Sequence, residues 1–144
     1  MMNRALFAAA VVVLIACDQA AKQLALADGS AVINSGVALS FLSGSNLLSL
    51  LVAACGLILV GWIYRDTVRN RTLHRPEYAA YALLVAGGTA NLIDRFIHGG
   101  VVDFIRIWII PTFNLADAMI STGIVLLLVL AHYYGTAQRA DNQR

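Results

Sequence analysis

Residues 76–100, PEYAAYALLVAGGTANLIDRFIHGG, are long and apolar enough for a membrane helix, yet Gly87, Asn91, Asp94 and His98 recur through them at intervals of 4, 3 and 4. That spacing draws a polar stripe along one helical face. The small residues Ala86, Gly87, Ala90 and Asn91 let a second helix approach closely, and the polar side chains can bond across that contact. Pro76 and Glu77 suit the opening of the helix, and Gly99-Gly100 suits its end.

The rest of the chain fits the same setting. It has 144 residues, 60% of them hydrophobic and 12% charged, with a mean hydropathy of +0.75. These values lie far from those of a soluble domain. Four apolar stretches, at about 5–26, 47–64, 77–98 and 115–134, each approach the ~20 residues that cross a hydrocarbon core. The expectation is a single all-α integral membrane domain over residues 1–144 with four transmembrane helices, because lipid leaves unpaired backbone without partners.

Seven arginines (Arg4, Arg65, Arg69, Arg71, Arg75, Arg139 and Arg144) fall on the termini and the 65–76 loop. Lys22, Arg95 and Arg106 fall on the other side. The positive-inside rule then puts both termini in the cytoplasm and segments 27–46 and 99–114 outside. A net charge of +2 without a basic stripe or interleaved aromatics argues against nucleic acid and for contact with membrane lipid. Cys17 and Cys55 sit in apolar runs as small hydrophobes, and His74, His98 and His132 show no metal-ligand spacing, so no metal or other cofactor is expected.

Leu14-Ile15-Ala16-Cys17 resembles a lipobox, but the helical pattern continues through Lys22 to Ala27, which favours a first span. Asp18 and Lys22 stand at i and i+4. They read as an ion pair holding the first helix to its neighbours, or as a direct catalytic lysine pair. Residues 28–46 read as turns and short strands; Asn34 there is either part of a connector or an amide able to hold an extended peptide. Asp94 beside Arg95 reads as a charge-compensated anchor, or Arg95 as a donor to substrate carbonyls. Residues 101–108 form a β-branched run too short to span, suited to a strand or interfacial segment.

Asp103 and Asp117 stand at the outer margins of apolar segments, where an ionisable group costs roughly 2.5 to 3.5 kcal/mol at membrane depth. Asp117 alone reads equally as a helix cap. Brought to about 4 Å at an effective dielectric near 20, the two acids would repel by roughly 4 kcal/mol when both are ionised. Such a pair keeps one proton near neutrality and titrates as a unit. That suits amide hydrolysis by acid-base catalysis, with no metal and no covalent intermediate.

Four blocks together resemble the lipoprotein signal peptidases, or signal peptidase II. They are Asp18-Gln19 with Lys22; Asn34-Ser35-Gly36-Val37-Ala38 with Ser40; Gly87-Gly88 through Asn91-Leu92-Ile93-Asp94-Arg95 to Val101-Val102-Asp103-Phe104; and Phe113-Asn114-Leu115-Ala116-Asp117 with Ile120. The resemblance implies an aspartic endopeptidase of the bacterial cytoplasmic (inner) membrane, a monomer with its active site at the outer face. Its substrate would be a diacylglyceryl-modified prolipoprotein, cut before the lipidated cysteine. Asp103 and Asp117 would be catalytic, Asn34 and Arg95 would position substrate, and Asp18, Lys22, Asn91, Asp94 and Asn114 would support the site. The resemblance also implies a small extracytoplasmic β-sheet built largely from the 28–46 loop.

The chain departs from the family pattern at Leu39, Ala90 and Ala118, where phenylalanine, glycine and serine are usual. A paralogue with altered substrate is one alternative. A second is a non-enzymatic proton- or ion-coupled carrier, whose relay would use the same Asp and Arg residues.

Overall fold

In the computed structural model the described residues are 3–35 and 46–141; Gly36, Val37, Ala38, Leu39 and Ser40 lie outside them. Helix α1 (Arg4–Ala27) runs unbroken through Cys17 and Lys22. It is followed by strand β1 (Val32–Asn34), helix α2 (Asn46–Asn70) and helix α3 (Arg75–His98). Strands β2 (Val101–Asp103), β3 (Ile105–Ile107) and β4 (Ile110–Phe113) then lead into helix α4 (Leu115–Asp141).

Three helical segments, Arg4–Ala27, Leu47–Asn70 and Leu115–Tyr134, are long and apolar enough to cross a membrane. Their outer faces are dressed with exposed leucine, isoleucine and valine, as lipid contact demands. Helix α3 differs. It carries more buried positions than any other element among the described residues, from Glu77 and Tyr78 to Asn91 and Asp94, and α1, α2 and α4 all pack on it.

Glycine sets how close the helices come. A methyl group on Gly87 of α3 would lie 2.5 Å from the Ala116 carbonyl oxygen and 2.9 Å from Ile120 of α4. One on Gly123 of α4 would lie 2.9 Å from the Ala80 carbonyl oxygen of α3. The α3–α4 contact is therefore backbone against backbone, as the small residues of α3 imply.

Helix α2 continues to Asn70, so Arg65 and Arg69, read as loop residues, stand on helix. At the start of α3, Glu77 accepts a bond from the His74 N–H (2.8 Å) and takes the fork of Arg71 (Nη1 to Oε2, 3.0 Å). Its end is fixed by Gly99 at φ 71°, whose N–H bonds the Arg95 carbonyl at 3.1 Å.

Two antiparallel ribbons cap this end. Strand β1 pairs with β2, placing Val32 opposite Asp103 and Asn34 opposite Val101, and β3 pairs with β4. Among the described residues one of the four strands, β1, comes from the 28–46 loop and three come from 101–113; residues 36–45 of that loop lie outside the described residues. The run from Val101 breaks at Phe104 because its two halves take different partners. The β3–β4 tip is apolar and open, with Trp108 and Ile109 exposed.

Candidate active site

Asn34 and Asp103 lie diagonally on one face of the β1–β2 ribbon, since side chains two apart share a face. The Asn34 Nδ2 donates to Asp103 Oδ2 at 3.0 Å. Gly100 makes the pairing possible, because a Cβ there would sit 2.8 Å from the Asn34 carbonyl oxygen.

Asn114 caps α4. Its Oδ1 accepts from the Asp117 N–H at 2.9 Å, and Asp117 Oδ2 accepts from the Asn114 N–H at 3.4 Å, a reciprocal capping box. The cap reading of Asp117 therefore holds, but it uses one carboxylate oxygen only. The other, Oδ1, accepts from Asn91 Nδ2 at 2.8 Å. The side-chain amide of Asn114 meanwhile donates to Asp103 Oδ1 at 2.8 Å and to Asn91 Oδ1 at 3.2 Å. One asparagine thus touches both aspartates.

Lys22 is fully buried, and its ammonium meets three oxygens: Asp18 Oδ2 at 2.7 Å, Asp94 Oδ2 at 2.6 Å and Asn91 Oδ1 at 3.1 Å. All three of its donors are accounted for. Asp18 Oδ1 accepts from the Ala116 N–H of α4 at 2.8 Å, and Asp94 Oδ2 from the Val102 N–H of β2 at 3.1 Å. The Asp18–Lys22 pair is thus a structural clamp joining α1, α3, β2 and α4. The compensating charge for Asp94 comes from Lys22 on another helix, which corrects its reading as an anchor with adjacent Arg95. The Arg95 guanidinium is half-buried and Nη1 donates to the Asn91 carbonyl at 3.1 Å.

Gln19 was not singled out for a role by sequence, yet its Nε2 donates to Asp94 Oδ1 at 2.8 Å and to the Ala90 carbonyl at 3.3 Å. Its signal was present: a polar residue beside Asp18 in an apolar helix. The N–H groups of Val102 and Ala116 carried none, because a backbone donor is independent of residue type.

Burial pushes the Asp103 carboxyl above the usual carboxylate range. The Asn34 and Asn114 donors pull it back, while the charge of Asp117 pushes it further up. What results is a buried acid and a half-buried acid joined through Asn114, whose side-chain amide donates to the Asp103 carboxylate and whose backbone N–H donates to that of Asp117, at the end of the bundle away from the arginine-rich helix ends.

Residues 10–133 match the family model described as signal peptidase (SPase) II. The chain belongs to the signal peptidase II family. Membership makes it a peptide hydrolase. A lipoprotein signal peptidase of Campylobacter jejuni is 36% identical over 137 residues, covering 85% of this chain and 85% of that protein. One of Yersinia pseudotuberculosis is 38% identical over 104 residues; the match takes in 66% of this chain and 59% of that protein. A bacterial membrane enzyme solved by the in meso method superposes with a TM-score of 0.79 at 22% identity, over 98% of this chain and 93% of the other, so the fold is that of a membrane enzyme.

Proposed function

We propose that this chain is an aspartic endopeptidase of the bacterial cytoplasmic membrane that removes signal peptides from diacylglyceryl-modified prolipoproteins, cutting before the lipidated cysteine. The single observation that carries the reading is the Asn114 bridge, which gathers Asp103 and Asp117 from separate elements around one asparagine. Family membership supplies the substrate class.

In this mechanism the dyad holds one proton in common. Asp103, the more buried acid, keeps that proton and donates it to the scissile carbonyl oxygen. Asp117 accepts a proton from the attacking water as the water oxygen bonds the carbonyl carbon, then passes that proton to the departing amine as the C–N bond breaks, while Asp103 recovers its own proton from the collapsing intermediate. Asn91 and Asn114 orient the carboxylates, and Lys22 fixes the Asn91 amide, whose oxygen in turn accepts from Asn114. Asn34 and Arg95 lie beside the dyad and position the peptide.

Helix α3 serves as the fourth span: its 24 residues give about 36 Å at 1.5 Å per residue, and its polar groups turn to α1, β2 and α4 rather than to lipid. The arginine-rich ends then face the cytoplasm with both termini, the dyad faces out, and the Trp108 tip lies at the outer headgroup level. A monomer holds every residue of the site. The test is a gel-shift assay of a lipidated precursor with the purified protein. A smaller product beginning at the modified cysteine is expected, and an uncut precursor would sink the reading.

A further inference from the structure

At the end of the bundle away from the dyad, α1 and α2 each lean on α3 and leave a groove between them. The groove measures about 670 Å³ and is lined by Arg4 and Phe7 of α1 and by Gly61, Tyr64, Arg65, Val68 and Arg69 of α2. That volume falls within the roughly 300 to 1,000 Å³ of small-ligand sites. The α2 residues recur at i, i+3, i+4, i+7 and i+8, so they form one face. Its floor is rigid: Phe7 stacks on Tyr64 with ring centres 5.2 Å apart, and Tyr64 stands edge-on to Tyr78 and Tyr81.

The charges at this end differ in one respect. Arg71 is neutralised by Glu77, whereas Arg4, Arg65 and Arg69 form no ion pair among the described residues. Asp66 does not line the groove, and the first turn of α1 holds no acid that would oppose its positive N-terminal dipole. Beside the arginines the lining is Phe7, Gly61, Tyr64 and Val68, and Ile58 and Trp62, also on α2, are exposed. At Gly61 a Cβ would meet nothing within 4 Å, which leaves an open channel along α2.

We propose that this groove binds one anionic phospholipid, its phosphate held by Arg4, Arg65 and Arg69 and an acyl chain lying against Phe7, Gly61 and Val68. A free phosphate matches the arginines but leaves the apolar wall uncovered; a lipid covers both. Basic pockets between membrane helices take anionic headgroups for this reason.

The test is native mass spectrometry of the full chain, exchanged into phosphatidylglycerol or phosphatidylcholine of equal chain length. Retention of phosphatidylglycerol on the order of a hundredfold above phosphatidylcholine is expected, since each of the three arginines near an anionic lipid is worth on the order of fivefold. The double variant Arg65→Gln/Arg69→Gln should lose roughly 25-fold on the same scale. Gly61→Leu should weaken retention of phosphatidylglycerol with the arginines intact, and Arg75→Gln, outside the groove, should leave it unchanged. Peptidase activity at the opposite end reports that each variant is folded; if the double variant is not, Arg69→Gln alone should still lose about fivefold. Equal retention of the two lipids overturns the proposal. So does an equal loss in Arg75→Gln, or full displacement of the lipid by excess inorganic phosphate. An inactive chain that still selects phosphatidylglycerol would defeat the peptidase reading and leave this one standing.

Discussion

The two ends of the bundle are held by opposite means. At the dyad end, Asp18, Lys22, Asn91, Asp94, Asp103 and Asn114 are buried together, each with hydrogen-bond or ion-pair partners. At the other, Phe7, Tyr64, Tyr78 and Tyr81 stack around Leu73. Helix α3 runs through both. A polar network specifies one geometry because any misplaced partner leaves a buried charge unpaired, whereas a ring cluster tolerates small shifts. The end proposed to perform chemistry has the demanding construction.

The largest break of that contrast is at the dyad itself. Asp103→Asn or Asp117→Asn should lower cleavage of a lipidated precursor by about a thousandfold or more, within the reach of acid-base catalysis, while the protein still inserts and folds. Retained activity in either would remove that residue from the chemistry. Next, Lys22→Met leaves Asp18 and Asp94 buried without their cation and should cost about 3–5 kcal/mol of stability, read by thermal unfolding in detergent. A change below 1 kcal/mol would mean that the clamp is not needed for folding.

Smaller effects sharpen the comparison. Gly87→Val drives a side chain into the Ala116 carbonyl and Ile120, with an expected cost of about 1–3 kcal/mol and reduced turnover, because the first turn of α4 carries Asp117. Asn34→Ala tests the proton. Its donor lowers the Asp103 pKa, so its removal should raise that pKa, and the alkaline limb of the activity profile, where the shared proton is lost, should move to higher pH. An unmoved or lowered limb would place the proton elsewhere. At the aromatic end, Tyr81→Phe loses only the hydroxyl contact with Thr67 and should cost about 1 kcal/mol with turnover unchanged.

The bundle and the two aspartates were legible because lipid simplifies reading: apolar length marks helices, and an acid among them stands out. The capping reading of Asp117 followed from its place at the start of a helix. Less visible was the partner of Asp94, since a neighbour in sequence, Arg95, offered a cheaper explanation than Lys22 on a distant helix. Strands at 32–34 and from 101 were expected, but how they pair was not, for a related reason. Pairing depends on which chain lies alongside, and nothing in VVDFIRIW states that its halves separate at Phe104. The length of α2 was masked by its charges, which end a span without ending a helix.

The polarity of α3 bears on how the protein is made. On the four-span reading, a translocation channel that sorts segments singly by oiliness would not release this one into lipid by itself, because among the described residues the side chains of Asn91, Asp94 and Glu77 find their partners on other segments or on the preceding loop. It must wait in the channel, or against α1, until α4 has been synthesised, so that the order of biosynthesis is part of how the catalytic end is assembled.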